Sequence, residues 1–435
     1  MARELKDSGI EWIGQIPKEW EVIKLKYESQ FINGYAFDSN DFKIDGDIRV
    51  VRIGDIGLSI DWDNCIYVKY PAFSLDTFRV SNGDILIAMS GATTGKCCLV
   101  TNAKEAYINQ RVGIIRSDKT KYVFYSLLAP YFKEYVNLNN MGSAQPNISS
   151  KAIGEFPLVM PKSLPEQQKI ADYLDKVCGE VDDMVTLQET MIEELKAYKQ
   201  SVITEAVTKG LNPNVPMRNS GIDWIGEIPE HWKLDPLKYC FGRRSEKNNP
   251  VKTEERLSLS IDKGVTLYSE KTTNLDRFKE DFTQYQLAYP NDIVLNCMNM
   301  IVGAVGLSNY MGCVSPVYYV IYPIRQDINP LYYSYLLNIP TIRGVYYSLG
   351  KGIYAIERGE GRVNTCRLKV AYNDFGRLEI PVPPLEEQKE ITRFIQQKCS
   401  EIESLIVLKQ AKIDELKEYK KSVIYEYVTG KKEVN

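Results

Sequence analysis

The chain has a single histidine, His231, and nine cysteines among 435 residues, with no C-x-x-C spacing. One histidine leaves little room for a Ser-His-Asp or Cys-His arrangement. An odd number of scattered cysteines, of which only Cys97 and Cys98 are adjacent, supplies neither paired zinc ligands nor a disulfide framework. There is no apolar run long enough to cross a bilayer, and the N-terminal MARELKDSGIEW has no apolar signal core. These absences, with thiols that read as reduced, point to a cytoplasmic protein without a membrane segment. No dinucleotide fingerprint follows a strand, and no N-P-P-aromatic run of the kind adenine methyltransferases use is present. The chain reads as non-catalytic, without a metal or cofactor of its own.

What the sequence does contain is a duplication. LPEQQKIADYL at 164 matches LEEQKEITRFI at 385, and EELKAYKQSVI at 193 matches DELKEYKKSVI at 414 in the same register. Each copy, 164 to 207 and 385 to 428, lacks an internal proline after its first turn and is rich in Glu, Lys, Leu, Gln and Ile, which predicts one long helix. In the first copy Ile170, Val177, Met184, Met191 and Tyr198 fall at one position of a seven-residue repeat. Leu174, Val181, Leu195 and Val202 fall at the other, and Gln188 is the polar exception. The second copy keeps the seam through Ile391, Ile395, Ile402, Leu405, Ile413, Leu416, Tyr419 and Val423, with Lys409 where the first has Gln188. Such seams predict two rods packed on each other as a coiled coil. Gly179 is the one residue that could interrupt the first rod.

A second repeat precedes each rod. DSGIEWIGQIPKEW at 7 returns as NSGIDWIGEIPEHW at 219, so Trp12, Ile13, Gly14, Ile16, Pro17 and Trp20 recur as Trp224, Ile225, Gly226, Ile228, Pro229 and Trp232. Two tryptophans around Gly and Pro suggest a docking strap rather than a ligand site, with His231 at its surface. The order is strap, insert, rod, then strap, insert, rod. This divides the chain into 1–163 (strap and first insert), 164–208 (first rod), 209–384 (second strap and insert) and 385–435 (second rod and tail).

A two-fold relation between the halves requires antiparallel rods. Gln188 and Lys409 would then lie near one another and help fix the register, and Asn435 would come close to the first strap.

The inserts share an order of elements but few residues. In the first, IRVVRIGDIG at 48, NGDILIAMSG at 82 and INQRVGIIRS at 108 read as strands, and YVFYSLLAPYFKEYV from 122 as a helix. The second repeats the plan with YPNDIVLNCMN at 289, SPVYYVIYPI at 315 and LYYSYLLN at 331. The predicted fold is α+β: one mixed α/β domain used twice, with an internal pseudo-two-fold duplication and two long antiparallel coiled-coil helices between.

Charge is informative only when divided. The rods hold 10 acidic and 4 basic residues in the first copy and 9 acidic and 8 basic in the second. The remainder has 42 basic against 38 acidic residues, which permits nucleic-acid binding through local patches. SGATTGKC at 90 resembles a phosphate-binding loop, but Ser90 replaces the first glycine and Cys97 the hydroxyl residue. A tight turn presenting Thr93, Thr94 and Lys96 to a DNA backbone or base suits it better. NMGSAQPNISSK offers Gln145, Asn147 and Lys151, and Asn and Gln match the edge of adenine. Between 341 and 370 lie Arg343, Lys351, Arg358, Arg362, Arg367 and Lys369 with five glycines, suited to phosphates and guanine.

The strap S-G-I-x-W-I-G-x-I-P-x-x-W, the elements NGDILIAMSGATTGK and GSAQPNIS, and the L-x-E-Q rod starts together resemble the specificity subunit of type I restriction-modification systems, over essentially the whole chain. The resemblance implies that each insert is a target recognition domain reading one half of a bipartite, asymmetric DNA site. It also implies that the rods set the spacing and scaffold two methyltransferase subunits, and that restriction subunits complete the nuclease. Half-sites read from the same side of the duplex would lie about 34 Å apart. S-adenosylmethionine, ATP and Mg would belong to the partner subunits. Two other readings fit the same residues: a coiled-coil scaffold carrying two protein-binding modules, and a stand-alone bipartite DNA-binding protein.

Overall fold

In the computed structural model, both long helices form as the repeat requires, over Leu164–Lys209 and Leu385–Val428. The structure describes residues 3–70, 74–140, 146–270, 281–353, 357–358, 362–363 and 367–434, the side chains of 353–367 excepted. Gly179 does not interrupt the first helix; a Cβ there would meet nothing within 4 Å, so it lies on an open face. Two units make up the chain, residues 1–190 with 409–435, and residues 191–408. Their boundaries cut both long helices in mid-length rather than at the junctions between inserts and rods.

Within the first unit the helices run antiparallel: Tyr173 packs on Tyr427, Asp182 pairs with Lys420 at 2.6 Å, and Lys409 Nζ donates to Gln188 Oε1 at 3.2 Å. Within the second, Lys199 pairs with Glu403 at 2.5 Å in the same sense. Ile170, Leu174, Val181, Ile402 and Leu416 are buried, while Leu195, Gln188 and Lys409 are half-buried. Met184, Tyr198, Leu405 and Tyr419, placed on the seam by a strict seven-residue count, are instead exposed. Ile192 and Cys399 are buried in their stead. A straight α-helix drifts by about 20° per heptad against a 3.5-residue repeat, so the buried stripe moves to the neighbouring position.

The straps explain the L-x-E-Q starts. In the first unit Leu5–Asp7 pairs with Gln15–Pro17, and Trp20 is buried with its Nε1 donating to Glu166 Oε1 at 3.2 Å. Arg3 pairs with the same carboxylate at 2.6 Å. Gln167 Nε2 donates to Pro161 O at 2.7 Å, closing the turn from strand to helix. The second unit repeats this with Met217–Asn219 against Glu227–Pro229, His231 Nε2 at 2.8 Å from Glu387, and Gln388 donating to Pro383 O. Each strap also receives the end of the other half's helix. A Cβ on Gly430 would fall 2.5 Å from Pro17, one on Gly210 3.3 Å from Trp232, and Glu433 lies 3.8 Å from Arg3. Asn435 itself is outside the described residues.

Each insert is built on a four-stranded antiparallel sheet. In the first the order is Gln30–Asn33, Val112–Arg116, Ile85–Ala88, Cys97–Leu99; in the second it is Phe241–Arg244, Tyr318–Pro323, Ile293–Asn296, Val305–Leu307. The first adds a three-stranded sheet in which Ile48–Val51 runs parallel to Ala106–Ile108. The second adds the pairs Leu257–Ser260 with Gly264–Leu267 and Gln286–Ala288 with Gly312–Val314. The run from 122 is two helices, Thr120–Leu128 and Pro130–Asn139, rather than one. Pro130 lacks an N–H and holds Ala129 extended, so the chain stops and restarts there.

The sheet, straps and helix ends share one core in each unit. Trp20, Leu174, Tyr122 and Val428 belong to it in the first, and Trp232, Ile391, Tyr332 and Val207 in the second.

Candidate nucleic-acid interface

The two motifs singled out in the first insert meet in space. Ser90 forms an antiparallel bridge with Asn147, Gly91 N donates to Pro146 O at 2.9 Å, and Ile148 N donates to Met89 O at 2.9 Å. The amides of the SGATTGK turn are used internally: Thr94 N on Gly91 O, Gly95 N on Ala88 O and Lys96 N on Thr93 O. A phosphate-binding loop needs those N–H groups free, so this turn is not one. Thr94 Oγ1 donates to Gly91 O at 2.7 Å and Thr93 Oγ1 to Ile53 O at 3.4 Å, so both hydroxyls hold the turn and keep only acceptor capacity for a partner. Gly91 sits at φ 75°, left-handed, with Ile53 against it. Lys96, Asn147 and Lys151 are exposed around this turn, while Gln145 lies outside the described residues.

Sequence reading missed a third contributor. Met89 N donates to Arg111 O at 2.9 Å, which brings the exposed Gln110 and Arg111 beside the turn. The run INQRVGIIRS reads as one strand, yet it breaks between Ile108 and Val112, and that break exposes the cation. Asp55, on the neighbouring Ile53–Asp55 turn, is buried and engaged by Arg52, so it places little negative charge at this surface.

The second insert arranges the corresponding turn differently. Gly303, at φ 101°, lies against the guanidinium of Arg343; a Cβ there would be 2.6 Å from Nη2. Arg343 donates to Asn338 Oδ1 at 2.9 Å, its Nε is buried without a partner, and burial lowers its pKa. Such a guanidinium, without a carboxylate partner among the described residues, suits an incoming anion. Lys351 is exposed and 3.8 Å from Asp374. Arg358 and Arg362 occupy the two-residue strands Glu357–Arg358 and Arg362–Val363, and their side chains lie outside the described residues. Arg243, also missed by sequence reading, is exposed over the rings of Tyr319 and Tyr372 at 5.0 and 4.9 Å.

Among the described residues no group of His, Cys, Asp and Glu could hold a metal ion, and the eight described cysteines are buried and unpaired. No described helix is long and apolar enough to cross a membrane.

Comparison with known proteins agrees with these features. A family model described as the type I restriction modification DNA specificity domain matches residues 17–197. A Methanocaldococcus jannaschii protein named for the MjaX type I restriction enzyme specificity subunit is 25% identical, covering 96% of this chain and 95% of that protein. The EcoBI specificity subunit of Escherichia coli is 25% identical over 91% of this chain and 82% of its own. A solved chain from work on complex assembly and conformational transition of the type I R-M system shares the fold, with a TM-score of 0.65 at 14% identity, covering 95% of this chain and 99% of that one. Residues 17–197 thus match the type I restriction modification DNA specificity domain, and relatives named as type I restriction enzyme specificity subunits align along nearly the whole chain.

Proposed function

We propose that this chain reads a bipartite, asymmetric DNA target, one half with each insert, and scaffolds two methyltransferase subunits through its duplicated frame. The observation that carries the reading is the repetition of the strap hairpin, its buried tryptophan and the helix-start glutamine that closes the turn, around inserts whose exposed rims differ. A frame made twice suits a partner bound twice, and unlike rims suit unlike half-sites. In this reading the first half-site meets Thr93, Thr94, Lys96, Gln145, Asn147 and Lys151, joined by Arg111. The second meets Arg343, Lys351, Arg358 and Arg362. Phosphate contacts position each insert, and base contacts specify the site.

Catalysis belongs to the partners: adenine methylation with S-adenosylmethionine, and ATP- and Mg-dependent cleavage once restriction subunits join. The working segments are 1–163 and 209–384 as readers and 164–208 and 385–435 as spacer, in the cytoplasm. The test is adenine methylation mapped across the genome of cells that express this chain with a candidate methyltransferase subunit, beside cells that lack the chain. A split motif methylated only when the chain is present supports the reading. A methyltransferase that binds the chain yet methylates the same sites without it contradicts it.

A further inference from the structure

The second insert contains a ribbon with no counterpart among the described residues of the first. Strand Gly350–Ile353 leaves helix Pro340–Leu349 without a loop and pairs antiparallel with Arg367–Val370; the shorter pair Glu357–Arg358 and Arg362–Val363 lies between them in sequence. The register sets Lys351 opposite Lys369 and Arg358 opposite Arg362. Directly opposed residues share a face with Cβ atoms about 5 Å apart, where like charges destabilise the pair.

Packing prevents the ribbon from slipping out of this arrangement. Gly350 and Gly352 face Val370 and Leu368, which are fully buried, and a Cβ on Gly350 would come 2.8 Å from Leu368 Cβ. With Leu368 and Val370 directed inward, Lys369 points outward by the two-residue period of a strand. Lys351 and Lys369 are both exposed. Among the described residues Lys351 pairs only with Asp374, at 3.8 Å, and Lys369 has no ion pair. Arg243 adds a third cation near the ribbon's root: Tyr319, beneath its guanidinium, donates its hydroxyl to Val370 O at 2.8 Å.

We infer that this ribbon is the phosphate-gripping element of the second insert on duplex DNA, with Lys351 and Lys369 side by side on the backbone. The inference rests on the DNA-reading function above. The repulsion locked into the free ribbon is relieved when a phosphate lies across the pair, and a two-stranded ribbon is an element that the major groove admits. The first insert shows no such ribbon among its described residues and is expected to make fewer such contacts, so the salt dependence of binding resides mainly in the second.

The experiment uses the full chain assembled with its methyltransferase subunit and a duplex carrying its methylation-mapped target. Affinity is measured against salt concentration, and melting is measured on the same chains without DNA. Lys369→Glu converts a repulsive pair into an attractive one without disturbing the Lys351–Asp374 contact: the free chain melts at a higher temperature while DNA affinity falls. Lys369→Gln lowers the magnitude of the salt slope by about 0.9, and the double variant Lys351→Gln/Lys369→Gln by about 1.8. If these variants melt as expected yet bind DNA with the original affinity and slope, the ribbon is not a phosphate contact. If the unaltered assembly does not prefer its target to a scrambled duplex, the DNA-reading function itself fails, and the ribbon's role with it.

Discussion

The two units solve the same structural problems with different residues. In the first, Tyr122 alone reaches two carbonyls, Val159 O at 2.9 Å and Val428 O at 3.1 Å, tying the insert both to its own last strand and to the end of the second long helix. In the second the task is divided: Tyr332 donates to Val207 O at 2.7 Å and Tyr333 to Pro381 O at 3.1 Å. Likewise Asp84 and Asp292 are buried at matching places, each accepting a backbone N–H at 2.8 Å and each bound by an arginine at 2.7 Å. Arg116 reaches Asp84 from the adjacent strand, whereas Arg244 comes from one strand further and lies over the ring of Tyr322 at 4.7 Å. The frame therefore conserves contacts, not residues, and leaves the rims free to diverge.

The most severe way to break the comparison is to break the helices at matched positions. Leu195→Pro in the second unit and Leu416→Pro in the first each remove a helical hydrogen bond and introduce a ring clash, and each costs about 3 kcal/mol or more. Denaturant unfolding should show comparable losses, and assembly with the methyltransferase subunit should fail in both. Normal assembly of either variant would mean that its helix is not part of the scaffold. Next in size, Asp84→Ala leaves Arg116 without an ion pair among the described residues and Asp292→Ala leaves Arg244 only Glu246, 4.0 Å away, each at about 3 kcal/mol. Equal losses by chemical unfolding would confirm that the two pairs do the same work despite their different strands. A neutral outcome in one unit would separate them.

The tyrosines sharpen the comparison further. Tyr122→Phe removes one proton shared between two carbonyls, at about 1 kcal/mol, so Tyr332→Phe alone should match it and Tyr332→Phe combined with Tyr333→Phe should exceed it. If the double variant only equals Tyr122→Phe, one of the two contacts in the second unit contributes nothing. The smallest effect is one of pH. Glu155 accepts hydrogen bonds from Lys24 and then Lys26, which hold its pKa down to about 2 against an ordinary value of 4.5. A depressed folded pKa means stability that is present above pH 4.5 and lost as the pH falls toward 2. Glu155→Gln should flatten that loss in melting scans. The corresponding position in the second unit is Arg377, so Arg377→Gln should leave the acid limb unchanged.

Much of the frame was legible because its signals are local. The L-x-E-Q starts, the strap's tryptophans and the uninterrupted helical runs each announce an element, and duplication identifies what must pair with what. The seam was legible only in part: a count of seven predicts Met184 and Tyr198 inward, and helical drift turns them out. Pro130 splits one predicted helix into two, and the Ile108–Val112 break lifts Arg111 to the surface. Neither the reach of Arg244 across a strand nor the opposition of Lys351 and Lys369 could be read from sequence, because both depend on strand register, which is set by packing of the buried alternate residues. At the candidate interface, the meeting of Ser90 with Asn147 was likewise invisible, since 57 residues and three strands separate them.

The central claim is that one frame carries two independent readers. It is tested most directly by replacing residues 21–163 with the corresponding insert of a different specificity subunit and mapping adenine methylation in cells that supply the methyltransferase subunit. The account predicts that one half of the methylated motif changes while the other half and the spacer length remain. A motif altered in both halves would contradict it.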